Sequence, residues 1–195
     1  MNAILPVAAT GVRPVHATDT ADGLRAVNRT GVDLAIWNRR LSAAPGLPAD
    51  WPRLETVQYE APLHAVEAAM VDRLGTGGRA LARDAGALAR VFADVAGVTR
   101  VRIRLDAIEG DACRRWHVDY KRLRLLCTYA GPGTVWCERD AAGAVVAAGR
   151  QRRLSVGIYK GMLYPGGPSG LLLHRSPRIA AAGRRRLILC IDEAD

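Results

Sequence analysis

The rhythm of hydrophobic and polar positions changes near residue 98. Before it, apolar residues recur at helical spacing. In 61–74, Leu63, Val66, Met70, Val71 and Leu74 fall on one helical face, with Pro62 suited to a first turn and Gly75 to a stop. In 78–97, Leu81, Leu88, Val91, Phe92 and Val95 repeat that spacing. After it the period drops to two. VTRVRIRL (98–105) sets Val101, Ile103 and Leu105 against Arg100, Arg102 and Arg104, the alternation of a half-buried strand. Strand-like content continues in CRRWHVDY (113–120), RLRLLCTY (122–129), TVWCERD (134–140), AVVAAG (144–149), LSVGIYKG (154–161), LLLHRSP (171–177) and GRRRLILCID (183–192). AGPGT (130–134) and YPGGPSG (164–170) are turn chemistry. Upstream, VDLAIWNR (32–39) reads as a strand and SAAPGLPADWP (42–52) as loop or short helix broken by prolines.

Helices first and about seven short strands afterwards predict an α+β, mainly β fold. Such a run of short strands suits a barrel or a double-sheet jelly roll, and the expected form is a double-stranded β-helix, a jelly-roll or cupin-like core buttressed by the N-terminal helices. The expected division is an irregular segment over 1–24 and a single domain over 25–195, helical over about 60–97 and β over about 98–192.

Composition changes this picture little. The 195 residues carry a net charge of +9, which suits an anionic partner. The cations are nearly all Arg, with Lys121 and Lys160 the two lysines, and Ala is abundant. No helix-turn-helix and no aromatic-basic RNA-binding sheet is visible, so nucleic acid is not the expected partner. No apolar run approaches the ~20 residues of a membrane span, and no basic n-region precedes a long apolar stretch. The expectation is a cytoplasmic protein with reduced thiols, no membrane partner, and a small-molecule or protein substrate that is anionic.

The candidate chemistry lies in H-x-D. On a strand, His117 and Asp119 would project to one face with Cβ atoms roughly 6–7 Å apart. A third ligand must come from elsewhere. Of the four histidines, His16 lies in the N-terminal segment and His64 opens a helix. His174 ends the apolar strand LLLH and could be brought beside the pair. Two histidines and a carboxylate make the facial triad of non-haem Fe(II) oxygenases, with positions left for a bidentate 2-oxo acid and O₂. The far carboxylate of such a cosubstrate needs a fixed cation, best an Arg fork. Arg184, Arg185 and Arg186 open the last strand. Arg185 shares its phase with Leu187, Leu189 and Ile191, the cleaner apolar face, and is the first choice; Arg186 is the second. Arg114, Arg115, Lys121 and Arg122 are candidates for a basic rim at the mouth, while Trp116 and Tyr120 read as packing.

The stretches HVDYKRLRLLCTYAGPGTVW, LLLHRSP and GRRRLILCID resemble the core of prolyl-hydroxylase-type 2-oxoglutarate oxygenases. More closely, from about residue 25 the chain resembles a bacterial family, domain of unknown function 1826, on VDLAIWNR, CRRWHVDYKRLRLLCTYAGPGTVW and HRSP…GRRRLILCID. The first resemblance implies Fe(II), or another divalent metal, on His117, Asp119 and His174, with 2-oxoglutarate as cosubstrate. Two departures stand: Ser155 occupies the place of an acidic residue found in such oxygenases, and no Arg-x-Ser follows His174.

The alternative from another class is a non-catalytic metal- or anion-binding module on a cupin-like scaffold, linked to metal homeostasis. A Cys113–His117 nucleophile pair lacks an orienting third group. Zinc on Cys113, His117, Cys127 and Cys137 would need irregular spacing.

Overall fold

The computed structural model describes residues 13–194 except residue 42. Residues 1–12, part of the segment expected to be irregular, lie outside the described residues.

Ten strands and two α-helices form the described chain: β1 (Val15–Thr18), β2 (Leu34–Trp37), β3 (Val57–Pro62), α1 (Val66–Leu74), α2 (Arg79–Ala96), β4 (Arg100–Ile108), β5 (Leu123–Ala130), β6 (Val135–Arg139), β7 (Val145–Arg150), β8 (Val156–Lys160), β9 (Leu172–Arg175) and β10 (Arg186–Glu193). A seven-stranded sheet runs β1-β2-β8-β5-β10-β4-β3, and a three-stranded sheet runs β7-β6-β9. The two sheets face each other as a double-stranded β-helix, and the helices cover the outer face of the larger one. Two helices precede a strand-rich remainder, the order the sequence suggested.

Alternation sorts the core into two layers. On β10, Leu187, Leu189 and Ile191 face the helices with Val101, Ile103 and Leu105 of β4 and Leu81, Leu88 and Phe92 of α2. Ile188 and Cys190 face inward to the other sheet with Leu126, Tyr159 and Leu172. α2 stops at Gly97, whose left-handed φ of 70° lets the N–H groups of Gly97 and Val98 both close on Ala93 O. The chain then enters β4.

Three expectations need correction. Residues 15–18, expected irregular, form β1, which pairs in parallel with β2. Helix α1 begins at Val66, not near residue 61, because Val57, Tyr59 and Ala61 alternate inward on β3. Pro62 ends that strand, and the loss of its N–H is tolerated because β3 is an edge. Residues 113–120 form no regular strand; a single antiparallel bridge, His117 to His174, attaches them to β9.

Candidate metal centre

The bridge brings the two histidines together. His117 N donates to His174 O at 3.1 Å and His174 N to His117 O at 3.0 Å. The rings lie 4.5 Å apart between centroids. H-x-D thus sits beside β9, one rung beyond the small sheet, although its own segment is irregular. Asp119 is fixed from below: its carbonyl accepts Met162 N at 2.9 Å. Gly161 makes that approach possible, because a Cβ there would lie 2.0 Å from Lys121 O.

The three side chains converge. One ligand atom from each of His117, Asp119 and His174 lies within 4.8 Å of the others, and no other set of three or more His, Cys, Asp or Glu does so among the described residues. Asp119 Oδ2 is 3.1 Å from His174 Nε2, and Asp119 Oδ1 is 3.7 Å from His117 Nε2. His117 Nδ1 lies 2.9 Å from Arg115 O. A carbonyl only accepts, so neutral His117 carries its proton on Nδ1 and leaves the Nε2 lone pair towards Asp119. Burial alone would raise the Asp119 pKa; His117, His174 and Arg124 outweigh it and hold the carboxyl well below the usual range. Burial lowers His174 against the pull of Asp119, while Asp119 raises the more exposed His117.

The donor set fits a divalent ion. Asp119 Oδ2 is buried, with His174 Nε2 at 3.1 Å but out of line for a hydrogen bond. Leaving an ionised oxygen in that state is costly. A cation on the two imidazoles and this oxygen would satisfy it, and nitrogen with carboxylate oxygen suits Fe, Mn, Ni and Zn alike.

The triad opens on a cavity of about 450 Å³, within the roughly 300–1,000 Å³ of small-ligand sites. Arg186 lines it at 1% exposure. Its Nη2 donates to Thr134 Oγ1 at 2.6 Å and Thr128 Oγ1 at 3.1 Å, and its Nη1 to Ser176 Oγ at 3.3 Å. Its Nε is buried without a partner. No carboxylate lies within ion-pair distance among the described residues, and burial pulls its pKa down to about 10.

Arg185, the first choice for the clamp, points elsewhere: it pairs with Glu109 and donates to Pro52 O at 2.5 Å. The phase was misassigned because the cleaner apolar face of β10 packs on α2, whereas the face lining the cavity is mixed. Arg184 is exposed. Arg122 does not rim the mouth; it pairs with Glu193 and donates to Ala96 O. Tyr120 is not packing, being 72% exposed, and Trp116 lies under Arg175 at 4.2 Å. Cys127 is on the helix-covered face, so the Cys/His zinc set is not assembled.

The sequence reading missed Arg124 and Asp192. Arg124 donates to both oxygens of Asp192 at 2.7 Å and to Asp119 Oδ1 at 2.5 Å. It missed Tyr159, whose ring lies 4.6 Å from that of His174. The available signal for Asp192 was its phase with Arg186, Ile188 and Cys190 on the last strand.

Solved structures of the same architecture include two dioxygenases and a hydroxylase. A rice dioxygenase for auxin oxidation matches with a TM-score of 0.53 and 14% identity over 93% of this chain and 82% of that one. The Arabidopsis thaliana enzyme for auxin oxidation, in complex with 2-oxoglutarate, matches at 0.51 and 14% over 93% and 92%. A Pseudomonas putida prolyl-4-hydroxylase matches at 0.48 and 16% over 94% and 98%. At these identities the first two establish the fold class and nothing more. The chain itself belongs to the family described as "Protein of unknown function (DUF1826)", whose model matches residues 18–192. No curated protein matches. Among the described residues no helix is long and apolar enough to cross a membrane.

Proposed function

We propose that the protein is an Fe(II)/2-oxoglutarate-dependent oxygenase of hydroxylase type. One juxtaposition carries the reading: a buried carboxylate set between two imidazoles, in the same cavity as a buried guanidinium with no carboxylate in ion-pair reach among the described residues. The first asks for a metal cation and the second for an organic anion. 2-Oxoglutarate supplies a chelating end and a free carboxylate, so one molecule answers both.

His117, Asp119 and His174 would hold the ion. When bound, such an ion supplies the redox chemistry that couples decarboxylation of the 2-oxo acid to oxidation of a C–H bond. The chain's own residues hold and orient. Arg186 takes the distal carboxylate, steadied by Thr128, Thr134 and Ser176. The Arg115 carbonyl keeps the His117 proton on Nδ1, away from the donor nitrogen. Ile108, Leu126 and Ile188 line the cavity and exclude water, which strengthens each charged contact. Arg175, also on its lining, favours an anionic substrate, while Arg104 is paired with Asp106.

The test is succinate formation from 2-oxoglutarate by the anaerobically reconstituted protein. Succinate that requires both Fe(II) and O₂ supports the oxygenase. Arg186→Met should raise the apparent 2-oxoglutarate requirement roughly 30- to 1,000-fold, from about 2–4 kcal/mol for a charge-assisted fork. Tight metal binding without succinate in any condition would replace this reading with a non-catalytic metal-binding module.

A further inference from the structure

Asp119 does not sit on a strand, yet a ligand carboxylate must be held still. We infer that Arg124, braced by Asp192, is a positioning residue that commits Asp119 to donate to the metal through one oxygen only, Oδ2; the inference rests on the metal site proposed above.

Arg124 is held by the sheet rather than by a loop. The register of β5 against β10 sets Arg124 directly opposite Asp192, and that of β10 against β4 sets Asp192 opposite Arg102. Arg102 in turn donates to Glu60 across β3. A row of alternating charge, Arg124–Asp192–Arg102–Glu60, therefore crosses four strands and ends against Asp119. Two edges of the Arg124 fork are spent on Asp192, which locks the plane of the guanidinium. The remaining Nη1 reaches Asp119 Oδ1. The Arg124 side chain is 15% exposed and those of Asp119 and Asp192 9% and 7%, so the end of the row against Asp119 is screened little by water, whereas Arg102 and Glu60 at its far end are open to solvent.

The two oxygens of Asp119 are thereby made unequal. Oδ1 has its charge answered by Arg124. Oδ2 is buried without a hydrogen bond beside His174 Nε2. A metal drawn to this site meets one free oxygen, and a single donor oxygen uses one coordination position where a chelating carboxylate uses two. Arg124 so keeps a position open for the cosubstrate. A purely structural role, tying β5 to β10, would leave the metal's surroundings unchanged.

Co(II) is the probe, since the intensity of its visible absorption reports coordination number without turnover. Arg124→Met should bind Co(II) about 10- to 100-fold more weakly, with weaker absorption as Asp119 turns to donate through both oxygens. Arg124→Lys, which keeps a cation near Oδ1, should return the spectrum towards the parent. Asp192→Asn, which frees the fork, should fall between them. Folding is followed separately by thermal melting. Parent affinity and parent spectrum in folded Arg124→Met overturn the inference. If that variant does not fold, parent behaviour in both Arg124→Lys and Asp192→Asn overturns it equally. A parent whose Co(II) binding is untouched by His117→Ala overturns the metal site itself, and this inference with it.

Discussion

Arg39 and Arg186 are both buried guanidinium groups, and they lie on opposite sides of the large sheet. Arg39, 9% exposed, is on the side covered by the helices. It donates to both oxygens of Asp84 on α2, at 2.7 and 2.8 Å, and to Leu154 O at 2.5 Å. Tyr129 of β5 adds a hydrogen bond to Asp84 at 2.6 Å. Burial disfavours the Arg39 cation, but Asp84 more than offsets it and the pKa goes up. Arg186, on the cavity side, has three hydroxyl partners, no carboxylate, a bare Nε and a pKa that goes down. A satisfied buried network holds a fold together; one left incomplete towards a cavity stores affinity for what is missing. The same contrast separates Asp84, with both oxygens answered, from Asp119, with one.

The strongest way to break the comparison is at the metal. His174→Ala removes one of the three groups proposed to hold the ion, and His117→Ala another. Each should weaken Mn(II) or Co(II) binding at least about 100-fold, given that even outer contacts to a metal ligand are worth roughly 10- to 100-fold. Titration calorimetry of the two variants checks this. An Asp84→Ala control should bind metal per folded molecule as the parent does.

That same Asp84→Ala variant should be the most destabilised. It leaves Arg39 charged, buried and unpaired, at a cost of about 3–5 kcal/mol, read from the midpoint of urea unfolding. On the other side of the sheet the sign reverses. The Arg186 pKa is lower in the folded chain than the ordinary value of an arginine. A cation with a depressed folded pKa costs stability at all pH values below that pKa, and the cost fades only as pH rises beyond about 10 towards the ordinary arginine value. At neutral pH the penalty is present in full, on the order of 3 kcal/mol. Arg186→Met, of similar length, should therefore leave the protein as stable as the parent or more so. It should also lose the rise in melting temperature that 2-oxoglutarate with Mn(II) gives the parent. A marked destabilisation of Arg186→Met would show that the three hydroxyls already satisfy the cation.

Much of this was legible from residue types and period. The strand from Val101 to Leu105 declared itself by strict alternation, and His117, Asp119 and His174 by their rarity and order. β3 carried the same alternation in Val57, Tyr59 and Ala61, but Pro62 and the helical residues behind it masked the pattern. Choosing between Arg185 and Arg186 failed for a physical reason. The face of β10 that looked less like a core is the inner one, because it lines a cavity and carries Arg186 and Asp192 among its apolar residues. Arg124 was hidden likewise: in RLRLL an alternating Arg reads as solvated, and only the register against Asp192 turns it inward.

The finest test deletes one hydroxyl on each side of the sheet. Tyr129→Phe removes a hydrogen bond to Asp84, but Asp84 Oδ2 keeps Arg39 Nη2 at 2.8 Å and is not orphaned. The cost should be near the low end for a bond to a charged group, about 1.5 kcal/mol. It should appear wholly as stability, with metal and 2-oxoglutarate affinities unchanged. Thr134→Val takes away the shortest contact of Arg186, at 2.6 Å, while keeping the shape of the side chain. Thr134 is 2% exposed and Thr128 still reaches Nη2 at 3.1 Å, so the guanidinium is loosened but not released. Here the loss should appear in 2-oxoglutarate affinity, about 3- to 10-fold for roughly 0.7–1.4 kcal/mol. Stability should move less than in Tyr129→Phe, because a cation already missing a counter-ion has less native stabilisation to lose. Calorimetric titration beside urea unfolding of the two variants decides it. If both variants lose stability alike and neither changes the affinity, the two sides of the sheet are doing the same structural work and Arg186 is no clamp.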